Sequence, residues 1–157
     1  MFRYFAAMLL AAVFFNTQAD ARTVNWSIAK SPIQLSGYPA GEVEGDYALQ
    51  LTCLSGANVR IGVGAYKDIG KGRSGVFSVT LKSGDRSVTL SGKSAESSNV
   101  EMTGSRELRT QMPLTGELLA VLSNGLPITV SGALSDSWTV NGLAGKVSAF
   151  GAGCSKK

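Results

Sequence analysis

The sequence has no histidine, two cysteines and four prolines among its 157 residues. The missing histidine excludes Ser-His-Asp and Cys-His machinery and removes the imidazole ligand of zinc, copper and haem sites. Two cysteines are too few for a Cys-only zinc or iron–sulfur centre within one chain. Charge is also sparse: Asp, Glu, Lys and Arg make up 17% of residues, against about 25% in an average protein. Glycine is abundant, at 19 residues, well above the usual ~7%. Low charge with many Gly, Ser and Thr points to strands and turns, not long helices. No catalytic residue, cofactor or metal is expected, and the function class is non-enzymatic.

The N-terminus reads as a leader. Arg3 supplies a positive charge, Phe5–Phe15 is an uncharged apolar run, and Ala19-Asp20-Ala21 has the small-x-small form of a cleavage site. Together these describe a secretory signal peptide over residues 1–21. The apolar run is about half the roughly 20 residues needed to span a bilayer, so no transmembrane segment is expected. Residues 22–157 are left as a single β-rich domain, placed in the periplasm or secreted.

Export gives the two cysteines a meaning. In an oxidising compartment an even count of two reads as one disulfide, Cys53 to Cys154. Closing a loop of ~100 residues contributes about 4–5 kcal/mol in the chain-entropy model. That is large beside the ~5–15 kcal/mol that stabilises most domains. A redox pair is normally close in sequence, as in C-x-x-C, and this pair is not.

Alternation of apolar and polar residues marks the strands. Val24 to Ala29 forms a first strand. Tyr47, Leu49, Leu51 and Cys53 share one face, as do Val59, Ile61, Val63 and Ala65. Phe77, Val79 and Leu81 lead through the turn Ser83-Gly84-Asp85 into Val88 and Leu90, a hairpin. Val100 and Met102 suggest a short strand, and Ile128, Val130, Trp138 and Val140 suggest two more. Gly70 to Gly75 and the Ser-rich stretch from Ser91 to Asn99 read as loops. Thr115 is placed to cap a short helix through Leu122, stopped at Asn124-Gly125. A second helix runs from Leu143 to Phe150, and Leu143, Val147, Phe150 and Cys154 fall on one face of it. Cys53 lies on the apolar face of its strand, so a bridge to Cys154 would pin the C-terminal helix to the sheet. The expected fold is mainly β: an antiparallel β-sandwich or curved sheet with one or two short helices near the C-terminus. A pure barrel is the alternative.

Several clusters have the composition of a site. Gly70-Lys71-Gly72-Arg73-Ser74-Gly75 has glycines and cations suited to an anion nest, but not the Walker spacing. With Lys67 it forms a candidate binding loop, Lys67, Lys71 and Arg73. Glu42, Glu44 and Asp46 lack the further ligands of an EF-hand and read as a solvated acidic loop. Arg106 and Arg109 form a second basic pair. The net charge of +4 suits a protein partner or an anionic envelope component. Nucleic acid is not expected, because basic and aromatic residues are not interleaved.

Two short patches carry a layout resemblance: Leu49-Gln50-Leu51-Thr52-Cys53, and Asn141-Gly142-Leu143-Ala144 through Phe150 to Cys154. Their arrangement resembles small exported accessory proteins of Gram-negative bacteria. These are the type VI secretion-associated VasI/TagO group and, more loosely, the invasion-associated locus B group. The resemblance implies a periplasmic or surface accessory protein and carries no binding or catalytic residue. The expected function is an exported binding or accessory protein of the bacterial cell envelope, linked to secretion or host interaction. The alternative is an inhibitor of a secreted hydrolase such as lysozyme, presenting the Lys67–Ser74 loop to an acidic cleft.

Overall fold

A computed structural model describes residues 20–42 and 45–156. Residues 1–19, most of the expected leader, lie outside the described residues, as do Val43, Glu44 and Lys157.

Nine strands build one antiparallel sheet. They are β1 Val24–Lys30, β2 Ile33–Pro39, β3 Leu49–Cys53, β4 Asn58–Val63, β5 Val76–Ser83, β6 Arg86–Glu96, β7 Arg106–Pro113, β8 Ile128–Gly132 and β9 Asp136–Trp138. The spatial order is β1-β2-β3-β4-β7-β6-β5-β8-β9. The two ends of this order meet. Arg22 N–H donates to Ser137 O at 2.7 Å, and Thr139 N–H donates to Arg22 O at 2.9 Å. The Trp26 indole N–H reaches Thr139 O at 2.8 Å. The sheet is therefore curved and nearly closed, the curved form of the expected fold.

Three helices complete the chain: α1 Val100–Thr103, α2 Gly116–Leu122 and α3 Leu143–Cys154. Along each strand alternate residues face inward. Leu35, Leu49, Leu51, Val59, Ile61, Val63, Val79, Leu81, Leu108, Ile128 and Val130 are buried on that face. Helices α2 and α3 pack on the same side. α2 lies against β5 and β6, and α3 lies against β1, β2 and α2. They contribute Leu118, Val121, Leu122, Leu143, Val147 and Phe150 to the core. Thr115 caps α2 as expected, its hydroxyl accepting from Leu118 N–H at 3.3 Å. The Cys53–Cys154 disulfide is present with Cα atoms 5.5 Å apart, and both cysteines are buried. It ties the end of α3 to β3, as the two apolar faces implied.

The structure departs from the sequence expectations at several elements. Val100 and Met102 belong to the helical turn α1, not to a strand. Asn99 O accepts from Met102 and Thr103 N–H, and Gly104, at φ 67°, closes the turn onto Val100 O. The Ser-rich stretch is not a loop through most of its length, because β6 continues to Glu96. Its outward hydroxyls pair across the sheet, Ser78 with Ser91 at 2.7 Å and Thr80 with Thr89 at 2.9 Å. Strands β2 and β7 had no counterpart in the alternation pattern. Finally, Asp46 is not solvated: it is buried and accepts from Asn99 Nδ2 at 3.2 Å, while Glu42 pairs with Arg22 at 2.6 Å. Burial raises the Asp46 carboxyl above its ordinary range.

Candidate functional site

The candidate binding loop is well anchored. Ile69 is buried at its centre, its N–H donating to Arg106 O at 3.1 Å. Each of the three cations has a partner within the chain. Lys67 Nζ lies 5.2 Å from the centre of the Tyr66 ring, and Arg73 lies 5.5 Å from that of Phe77. Lys71 Nζ is 3.3 Å from Asp68, with both side chains more than half exposed. The structure therefore orders the loop but does not converge its three charges on one point.

Tyr66 also belongs to the seam of the sheet. Its hydroxyl donates to Asp136 and accepts from the Trp138 indole N–H at 3.2 Å. Arg22 lies 5.1 Å from the ring centre, and its Nε is 3.4 Å from Asp136. Burial, then the hydrogen bond to Asp136, holds the Tyr66 phenol well above the ordinary tyrosine range.

A second polar assembly lies on the outer face of β3, β4, β7 and β6. Tyr47 was expected beside Leu49 on the core face. A bend at Ala48 instead sends its ring over the outer surface of β4. Gly62 makes room for it: a Cβ there would stand 2.4 Å from the Tyr47 hydroxyl oxygen and 2.8 Å from Cε2. The hydroxyl donates to Glu107 Oε2. Glu107 is fully buried although it sits on the outward side of β7. Its other oxygen, Oε1, accepts from Arg109 Nε at 2.7 Å and forms an ion pair with Nη2 at 2.6 Å. Arg109 Nη2 also donates to Glu96 O at 3.1 Å. Burial, reinforced by the Glu107 charge, keeps the Tyr47 phenol protonated far above the usual range.

Above this triad is an open groove of about 550 Å³, lined by Tyr47, Gln50, Glu96, Ser97, Ser98, Val100, Arg106 and Arg109. A smaller recess of about 140 Å³ adjoins it, where Thr52 and Arg60 join the lining. Arg106 is held from below: its Nε donates to Ser94 Oγ at 2.8 Å, and Nη1 is 3.6 Å from Glu96. Arg60 is exposed, and its side chain has no hydrogen bond or ion pair among the described residues. The groove and recess together gather three guanidinium groups, two of them fixed in orientation, with the carboxylates of Glu96 and Glu107 and several hydroxyl side chains beside them. Both oxygens of Glu107 are occupied, and Glu96 is exposed and faces Arg106.

Arg106 and Arg109 stood out in the sequence as a basic pair, whereas Tyr47, Glu107 and Arg60 did not. The one signal available was the alternation Glu107-x-Arg109-x-Gln111, a polar strand face. Its meaning depends on pairing with β4, which sets Gly62 opposite Arg109 and Arg60 opposite Gln111.

Among the described residues no group of His, Cys, Asp and Glu is arranged to hold a metal ion, and no helix is long and apolar enough to cross a membrane. In comparisons with protein-family models, curated proteins and solved structures, nothing matches this chain.

Proposed function

We propose that this chain is an exported, non-enzymatic binding protein of the bacterial cell envelope, with the outer groove as its recognition surface. The observation that carries the reading is the buried Tyr47–Glu107–Arg109 arrangement. It places a fixed cation at the floor of an open groove, on a sheet face the core does not use. A disulfide-linked, nearly closed sheet is a rigid platform for such a surface, and rigidity lowers the ordering cost of binding. The layout resemblance to exported accessory proteins points the same way.

The test is expression of the full chain in a Gram-negative host, followed by fractionation and mild crosslinking. The expected result is a periplasmic or released protein beginning near Arg22, with one disulfide and a defined crosslinked partner. A protein that keeps its leader and stays in the cytoplasm would overturn the export half. A periplasmic protein that crosslinks to nothing would overturn the binding half.

The hydrolase-inhibitor reading is favoured by a different observation, the anchored Lys67–Arg73 loop. Buried Ile69 and two ring-stacked cations pre-order it for an acidic cleft. Lysis assays with purified protein test it, and full lysozyme activity at micromolar protein would refute it.

A further inference from the structure

We infer that the outer groove binds an oxyanion-bearing saccharide, with Arg60 and Arg109 taking the acid group and Gln50, Thr52 and Ser98 taking the sugar hydroxyls. This rests on the binding-protein reading and names its ligand class.

A sheet face turned to solvent is stable with Thr, Ser or Lys on it, as the outward hydroxyls of β5 and β6 show. On β7 the chain instead buries a carboxylate completely. Taking a carboxylate out of water costs several kcal/mol unless it is paired and hydrogen-bonded. Here Tyr47 and Arg109 offset that cost, and Gly62 is needed to seat Tyr47. The result is one guanidinium held in a fixed plane. Its Nε is spent on Glu107 and its Nη2 on the Glu96 carbonyl, while Nη1 has no hydrogen-bond partner among the described residues. A planar guanidinium held this way suits a carboxylate or phosphate oxygen.

The neighbouring charges point the same way. Lys93 lies directly across from Arg109 in the β6–β7 register, exposed and without an ion pair among the described residues. Like charges directly opposite each other on a sheet are destabilising. Glu107 already balances Arg109, so Lys93 is the charge on that pair left for an outside anion to meet. Arg60 completes a diagonal of cations over β4, β7 and β6.

The remaining lining decides between a saccharide and an acidic peptide. Val100 is the aliphatic side chain lining the main groove, and the Tyr47 ring is buried beneath it. Grooves that take a peptide strand or helix anchor apolar or aromatic side chains in pockets, whereas this surface sets the Gln50 amide and the Thr52 and Ser98 hydroxyls beside its cations.

The experiment is calorimetric titration of the oxidised protein, residues 22–157, with four probes at low salt: a galacturonate oligomer, glucose 6-phosphate, inorganic phosphate and a poly-glutamate peptide. Arg60→Gln removes an exposed, unpartnered side chain, so the variant folds normally. Lys146→Gln, on α3, is the control. Binding of the galacturonate oligomer or the sugar phosphate, weakened about 10-fold or more by Arg60→Gln and unchanged by Lys146→Gln, supports the inference. Which of the two binds identifies the acid group as carboxylate or phosphate. Equal binding of inorganic phosphate would show an anion site without sugar recognition and overturn the assignment. Tighter binding of poly-glutamate would overturn it in favour of an acidic protein. If no probe binds while envelope crosslinking still captures a partner, the ligand class is wrong and the binding-protein reading survives.

Discussion

Substituting Gly62 by Ala tests the architecture of the site directly. The backbone at Gly62 lies outside the left-handed region, so a side chain strains nothing by itself. The effect must come from the space above. A Cβ would meet the Tyr47 hydroxyl oxygen at 2.4 Å, Cε2 at 2.8 Å and Cζ at 2.9 Å. The ring cannot swing aside cheaply, because its hydroxyl is tied to a fully buried carboxylate. Displacing it loses a hydrogen bond to a charged group, about 1.5–3 kcal/mol. It also exposes part of the buried ring, about 1–2 kcal/mol. Alanine returns about 0.5–1 kcal/mol, because glycine is a poor strand residue. The expected net loss is about 2–4 kcal/mol, a fall of roughly 1–2 M in the urea midpoint for a domain of this size.

A double-mutant cycle isolates the cause. With Tyr47→Ala already in place nothing stands over Gly62, and adding Gly62→Ala should be neutral or slightly stabilising. If Gly62→Ala costs as much in that background as in the parent protein, the steric account is wrong. If the single variant has parental stability, the seating of Tyr47 on Gly62 is wrong as well.

Three further outcomes follow from the same structure. Tyr47 and Tyr66 both have phenol pKa values raised above the unfolded value of 10.0. The stability this confers is therefore intact below pH 10 and declines as pH rises above it. At pH 11 each phenol contributes a loss of about 1.4 kcal/mol relative to neutral pH. Urea unfolding at pH 8 and pH 11 reads this, and Tyr47→Phe should reduce the difference by about half. Replacing Cys53 and Cys154 together by Ala should lower stability by up to about 4–5 kcal/mol, measured as the unfolding midpoint of the non-reduced parent against the variant. Arg22→Ala removes the ion pairs to Asp136 and Glu42 and the contact with Tyr66, and should cost about 1–2 kcal/mol. The backbone hydrogen bonds at Arg22 survive that substitution, so hydrogen exchange at Thr139 should rise only modestly.

The inward face was legible in the sequence wherever one surface of a strand carries branched apolar residues. Val59, Ile61 and Val63, or Val79 and Leu81, alternate because the helices cover only that side. The disulfide was legible for the same reason, since both cysteines close apolar stripes. β2 and β7 were not legible because their inward positions include Gly37 and Thr110, which break the apolar rhythm. Gly37 is inward because Trp26, its cross-strand partner, fills that place; a Cβ there would stand 2.5 Å from the indole ring. The site was hidden for a tertiary reason. Glu107 reads as a surface residue until Tyr47, sixty positions earlier, is turned over it by the bend at Ala48.

Two glycines seat two aromatic rings in this sheet, and the difference between them separates fold from function. Trp26 over Gly37 lies on the inner side, and its indole N–H closes the seam through Thr139 O. That pair does what a small barrel-like sheet needs, filling the interior and joining the ends. Tyr47 over Gly62 lies on the outer side, where no core is to be filled and no edge is to be joined. An ordinary β-branched pair at those positions would stabilise the sheet at least as well. What the glycine, the phenol and the buried carboxylate achieve together is the fixed plane of one arginine beneath an open groove. A sheet that spends its outer face on orienting a cation is built to meet an anion.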